Sequence, residues 1–332
     1  MHVDYANALV AAGHEVTIVY PTWPYRFHHR CRDQFAEWRH NIGTDAGIAW
    51  CSTDARVSRV PAIQTRFLPD ADAVVAVSWP TVRDVGRLHG SRGRKVHSVM
   101  HHESGTGPEE KIRDVYRVPC YRITYAHAVA QQLREAFECE VDAIVPHGIN
   151  PRVFYREPIG RQTATVLMLY HPDPRKGAAD GLEALELLHR RMPDVQFDLC
   201  GTVTPPPLPS WIRFTFHPSD AELRRLYNTS TALLYPSRVE GFGLPPLEAM
   251  ACGCPVVTTA VGAVPEFASD GGDAFIVAPG DSVAMADRLA MLVDDEGLRA
   301  RLSAEGLKTA ARYAIGQVTP MFEAALAEAA RR

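Results

Sequence analysis

Residues 235–257 read Tyr-Pro-Ser-Arg-Val-Glu-Gly-Phe-Gly-Leu-Pro-Pro-Leu-Glu-Ala-Met-Ala-Cys-Gly-Cys-Pro-Val-Val. An apolar run of strand length, Ala232–Tyr235, stops at Pro236. A glycine-flanked loop carrying Glu240 follows, and a helix opens around Gly243–Pro246, where the prolines suit the first turn. Val256–Thr258 is the next strand. Strand, loop, helix and strand in that order make a βα unit of a parallel sheet. Free amides and the macrodipole at the helix start favour an anion, and Gly241 and Gly243 remove side chains that would block a phosphate. Glu248 lies about a turn into the helix, and its Cβ tilts back toward the start, within reach of a ribose. Glu240 sits across the phosphate position on the loop. Two carboxylates around one phosphate site suit the hydroxyls at both ends of a nucleotide sugar.

The same alternation extends in both directions. Downstream, Phe275–Val277 reads as a strand, and 282–293, 296–313 and 318–330 read as helices. Upstream, strands are expected at 166–170, 197–200 and 212–216, with helices at 181–190 and 221–228, the latter capped by Ser219. Earlier still come strands at 16–20, 73–77, 96–100, 121–124 and 143–145. Helices are expected at 3–12 (closed by Gly13), 82–88 and 126–137. Residues 21–60 read as an irregular surface excursion. The Pro/Gly-rich stretch 146–165 has the composition of a linker. The expected fold class is therefore α/β, with two Rossmann-like doubly wound domains facing a cleft. The first spans 1–157 and the second 158–317, and helix 318–330 packs back on the first.

Composition excludes several classes. A net charge of −4 gives no basic field for nucleic acid. A hydrophobic share of 46% excludes wholesale disorder. No apolar run approaches the roughly 20 residues that cross a bilayer. The chain opens with no basic-then-apolar leader, which points to the cytoplasm. Seven scattered cysteines form no disulfide framework or zinc spacing, and Cys252 and Cys254 read as small buried residues. A nicotinamide fold would want a glycine where Pro246 stands.

Glu240 and Glu248, set in Glu-Gly-Phe-Gly-Leu-Pro-Pro-Leu-Glu-Ala-Met-Ala, form an E-x7-E pattern that resembles the retaining, GT-B-fold glycosyltransferases of family four. The segment His171-Pro-Asp-Pro-Arg-Lys-Gly177 resembles that family's basic pair, which grips the donor diphosphate. Lys176 falls on the lysine, His171 stands where the arginine is usual, and Arg175 offers an alternative charge. The resemblance implies that Gly241, Phe242, Gly243 and Leu244 line the donor site, with Glu248 on the ribose and Glu240 on the sugar. It makes His101, after the strand 96–100, the histidine that approaches the sugar. His101 and His102 can equally satisfy loop backbone groups. A looser likeness to rhamnosyl- and mannosyl-type transferases of bacterial surface polysaccharides adds Glu103 and Trp79 as acceptor contacts, Trp79 serving either packing or stacking.

The resemblance thus implies retaining hexosyl or deoxyhexosyl transfer from a dTDP-, GDP- or UDP-linked sugar to a hydroxyl of a glycan or glycolipid. It implies no metal and no other cofactor. A lipid-linked acceptor would bring the chain to the inner face of the membrane. The alternative is an inactive or truncated nucleotide-sugar-binding homologue, motivated by His171 and by the start of the chain. Family members carry a strand and a Gly-Gly loop before the helix that opens here. The expectation is therefore a reading frame that begins upstream of Met1, or a less stable and less active polypeptide.

Overall fold

The computed structural model describes residues 2–21, 53–101, 103, 107–160 and 164–332. The chain divides into two units, Met1–Gly148 with Ile315–Arg332, and Ile149–Ala314. The division expected at 157/158 falls inside the second of these.

In the first unit α1 (His2–Ala11) ends at Gly13, whose φ of 95° only glycine takes without strain. β1 (Thr17–Pro21) follows and pairs in parallel with β2 (Arg56–Val60). The expected irregular stretch 21–60 therefore ends in a strand, and residues 22–52 of it lie outside the described residues. A four-stranded parallel sheet runs in the order β3 (Ala73–Ala76), β4 (Arg94–Val99), β5 (Tyr121–Thr124), β6 (Ala143–Ile144). Helices α2 (Trp79–Gly86), α3 (Glu109–Tyr116) and α4 (His127–Phe137) alternate with its strands. Helix α3 was not expected. Its sequence EEKIRDVY is mostly charged, and only Ile112, Val115 and Tyr116 are buried, at the i, i+3, i+4 spacing of a narrow stripe.

The C-terminal helix Ile315–Arg331 belongs to this first unit. Phe322 packs on Tyr5 with ring centroids 4.6 Å apart, and Tyr121 donates to Glu328 at 3.2 Å. Gly148 allows the close approach: a Cβ there would lie 2.6 Å from Val318 Cγ2.

The second unit carries one six-stranded parallel sheet. Its strands in chain order are β7 (Thr165–Leu169), β8 (Gln196–Gly201), β9 (Ile212–Phe216), β10 (Ala232–Tyr235), β11 (Val256–Thr259) and β12 (Phe275–Val277). Their helices are α5 (Ala178–Arg191), α6 (Asp220–Thr229), α7 (Leu244–Ala251), α8 (Val264–Phe267), α9 (Ser282–Asp294) and α10 (Glu296–Arg312). The central strand β10 reads as a continuous apolar run and is buried along its whole length, as a strand covered on both faces is. Val166, Met168, Leu185, Phe197, Leu234 and Met285 form part of the core, each removed from water at a gain of about 1.5–3 kcal/mol. Ser219 caps α6 as expected, in a reciprocal capping box with Glu222. Cys252 and Cys254 are buried, also as expected.

Strand order positions the site. Across the sheet the order is β12-β11-β10-β7-β8-β9. From β7 the chain winds outward through β8 and β9, then returns to pair β10 with β7 and winds the other way. The switch point therefore lies between β7 and β10, and the loops leaving their carboxyl ends face one crevice. One loop holds 171–177, the other 236–243.

Candidate active site

The two switch-point loops are tied through main chain. The carbonyl of Arg175 accepts the N–H of Arg238 at 2.8 Å and of Val239 at 3.1 Å. Gly177, with φ 65°, sits so close that a Cβ would lie 2.0 Å from the Pro236 carbonyl oxygen. Gly181, one turn into α5, would carry a Cβ 2.3 Å from Met168 Sδ. Arg238 then clamps the buried Asp180 of α5 with two bonds of 2.6 and 2.7 Å. This bidentate pair fixes the start of the 236–243 loop on the helix that follows the 171–177 loop.

That bracing brings Lys176 to Glu240. Its Nζ donates to Oε1 at 2.7 Å, with the lysine side chain 37% and the glutamate 10% exposed. A cation and a carboxylate thus meet where an open parallel sheet binds its ligands. Gly262, at φ +56°, clears the space beneath: a Cβ there would lie 2.9 Å from the Gly241 oxygen and 3.0 Å from Glu240 Cβ.

Glu248 projects from α7 and is half-buried. It accepts from the hydroxyl of Tyr227, a fully buried residue of α6, at 3.2 Å. Burial first, then the Glu248 charge, push the Tyr227 phenol well above its ordinary pKa, so it stays a donor. Tyr235 at the end of β10 is raised likewise, by burial and then by Glu240 and Glu248, so both carboxylates act on one phenol.

The donor-site residues expected from sequence also make contacts of their own within the unit. Arg175 turns its guanidinium onto Asp173, with the nearest contact at 2.6 Å, and holds that carboxyl down to about 2. Its contribution to the crevice is its carbonyl. Phe242 is buried against Phe267 and Tyr313, at 5.7 and 6.1 Å between ring centroids, so its ring belongs to the core. The start of α7 offers fewer amides than a generic helix, because Pro245 and Pro246 have none. Gly243, Leu244 and Leu247 retain theirs, and Gly243 caps the helix with φ 93°. His171 is exposed and its Nδ1 accepts the Asp173 N–H at 3.1 Å, which shapes the turn.

In the first unit, the acceptor residues proposed from sequence fall after β4 (His101 and Glu103) and after β3 (Trp79). His101 is half-buried, and His102 lies outside the described residues. Glu103 is buried, accepting from the Trp79 N–H and from the Tyr116 hydroxyl, each at 3.0 Å. Burial raises it to about 7 against the pull of those two donors. The Trp79 indole is also buried, 2.3 Å from where a Gly107 Cβ would stand, so it packs against Gly107. The sequence reading missed His97. It is fully buried, 3.9 Å from Glu103, its ring nitrogens have no hydrogen-bond partner among the described residues, and burial lowers it to about 3. No sequence signal marks it, since a histidine inside an apolar strand reads as core.

Parallel order, the switch point and the crevice chemistry define a class: two Rossmann-like units, each built from βα repeats. HepE of Anabaena, in complex with UDP and glucose, superposes at a TM-score of 0.72 and 15% identity, over 98% of this chain and 96% of that one. Likeness at that identity shows the fold, which is GT-B. Residues 154–309 match the family model of glycosyl transferases group 1, so the second unit is a group 1 glycosyltransferase domain.

Two curated relatives share part of it. The O-antigen chain mannosyltransferase B of Escherichia coli is 38% identical over 103 residues, 31% of this chain and 26% of the relative. The lipopolysaccharide core biosynthesis mannosyltransferase LpsB of Rhizobium meliloti is 45% identical over 94 residues, 27% of each. The matches therefore span about a quarter of those relatives' lengths. Among the described residues no helix is long and apolar enough to cross a membrane.

Proposed function

We propose that this chain transfers a hexosyl or deoxyhexosyl group from a nucleotide-diphosphate sugar to a hydroxyl of a glycan or glycolipid, as the two mannosyltransferase relatives suggest. The observation that carries the reading is the Lys176–Glu240 pair at the switch point, 2.7 Å apart and open to solvent on the lysine side. The donor diphosphate draws Lys176 off Glu240 and lies against the amides of Gly243 and Leu244. Glu248 takes the ribose and Glu240 the transferred sugar. His101 and Glu103 serve the acceptor, Glu103 through its hold on Trp79 and Tyr116.

In the reaction the acceptor oxygen forms a bond to the anomeric carbon while the bond from that carbon to the diphosphate breaks. The electron pair goes to the β-phosphate oxygen, and the acceptor's proton follows it. Attack from the face of departure retains configuration. Negative charge grows on the leaving group, and Lys176 with the α7 dipole stabilises it without a metal.

The test is direct. UDP-, GDP- and dTDP-sugars are incubated with the full chain and a glycan acceptor, nucleoside diphosphate release is followed, and the product anomer is read by NMR. Release dependent on acceptor, with retention, is expected. Absence of release together with no thermal shift by UDP, GDP, dTDP or ADP overturns the reading.

A further inference from the structure

Glu240 is held by more than its ion pair. Tyr235 closes β10 and is buried, and its hydroxyl donates to Glu240 Oε1 at 2.5 Å. Ser237, also buried, has its Oγ 2.8 Å from the same oxygen. That hydroxyl lies 3.1 Å from the Arg175 carbonyl and 3.2 Å from that of Val239 as well. It has one proton to give, and the carboxylate is the charged acceptor at the shortest distance. With Lys176, Oε1 receives three donors. Among the described residues no hydrogen bond reaches Oε2.

The three donors differ in kind. Lys176 is a cation and follows negative charge, so a diphosphate draws it away. Tyr235 and Ser237 are neutral and buried, and the Thr259 hydroxyl donates to the Ser237 carbonyl at 2.5 Å. They keep their hold when the lysine leaves.

We propose that Tyr235 and Ser237 are positioning residues for the transferred sugar. They pin Oε1 of Glu240, so that Oε2 stays presented to the sugar hydroxyls after Lys176 has turned to the diphosphate. The inference rests on the donor-site reading above. A carboxylate misplaced by about 1 Å costs on the order of a hundredfold in rate, so small shifts are legible in kinetics.

The experiment uses the full chain with Tyr235→Phe, Ser237→Ala and Ser237→Thr. It measures kcat, KM for the sugar donor, and the dissociation constant of the sugar-free nucleoside diphosphate. Tyr235→Phe is expected to lower kcat about tenfold or more while the diphosphate binds as in the wild type. Ser237→Ala shows a smaller fall, and Ser237→Thr, which keeps the hydroxyl, restores the rate. Wild-type kcat in Tyr235→Phe overturns the positioning role, as does a parallel loss of kcat and diphosphate affinity, which marks a purely structural part. If the wild type neither binds any nucleoside diphosphate nor transfers sugar, the donor-site reading fails and takes the positioning role with it.

Discussion

Glu240 and Lys176 stand 64 positions apart in the chain and meet at 2.7 Å. The pair is partly solvated, so its worth to folding is small, about 0–1 kcal/mol. Its worth is as a charge held ready where the diphosphate lands. Lys176→Ala is therefore expected to leave the melting temperature nearly unchanged and to lower acceptor-dependent transfer by about 10²–10³-fold. Lys176→Arg restores only part, because a planar fork does not replace a point charge at one site. Excess EDTA leaves the wild-type rate unchanged. A rate abolished by EDTA and restored by a divalent ion refutes the lysine as the main source of charge stabilisation.

Glu248 and Tyr227 form the second anchor. Glu248→Ala leaves the Tyr227 hydroxyl buried with its partner removed, a loss of about 1–3 kcal/mol in stability. Glu248→Gln keeps an acceptor for Tyr227 and spares most of that loss. Both variants weaken nucleotide binding, so KM for the donor rises more than kcat falls. Steady-state kinetics with thermal melts separate the two effects.

Gly177→Ala is the sharpest test of the loop bracing. A methyl there would stand 2.0 Å from the Pro236 oxygen, at a φ of 65° that disfavours alanine. The loops must part, at a cost of at least about 1–3 kcal/mol. Melting temperature and transfer fall together, whereas Lys176→Ala loses transfer alone.

Glu103 and His97 govern how stability follows pH in the first unit. Glu103 is raised from its ordinary 4.5 to about 7 by burial. The folded state prefers it protonated, so stability present below pH 4.5 is lost as pH rises to about 7. His97 is lowered from 6.5 to about 3, so its neutral form favours folding above pH 6.5 and stability is lost as pH falls toward 3. Between 4.5 and 6.5 the two slopes oppose each other. Glu103→Gln removes one of them, and stability then climbs with pH in that window more steeply than in the wild type, by about 1.4 kcal/mol per pH unit. Denaturant melts at four pH values measure this, and parallel profiles for variant and wild type would show that Glu103 does not titrate in the fold.

Much of this was legible in the sequence. Strands 232–235 and 275–277 fall where apolar runs of strand length put them, because buried parallel strands have no polar face to blur. The convergence of Lys176 and Glu240 follows from two glycine-bearing loops after neighbouring strands. What escaped reading depends on the third dimension. A tyrosine at the end of a buried strand looks like core, and nothing in its neighbours shows that its hydroxyl bends back to Glu240. Asp173, two residues before Arg175, carried a usable signal, since a turn aspartate captures a nearby guanidinium. Helix α3 hid behind its charges. Trp79 and Glu103 are set by a hydrogen bond between segments 24 positions apart, which no spacing rule encodes.

The Arg175 carbonyl, shared by Arg238 and Val239 from the other loop, makes the two segments a single mechanical part. Chimeras built to exchange donor preference should therefore transplant 171–177 and 235–243 as one cassette. Grafted singly, either piece would arrive without the strut that aims its charge.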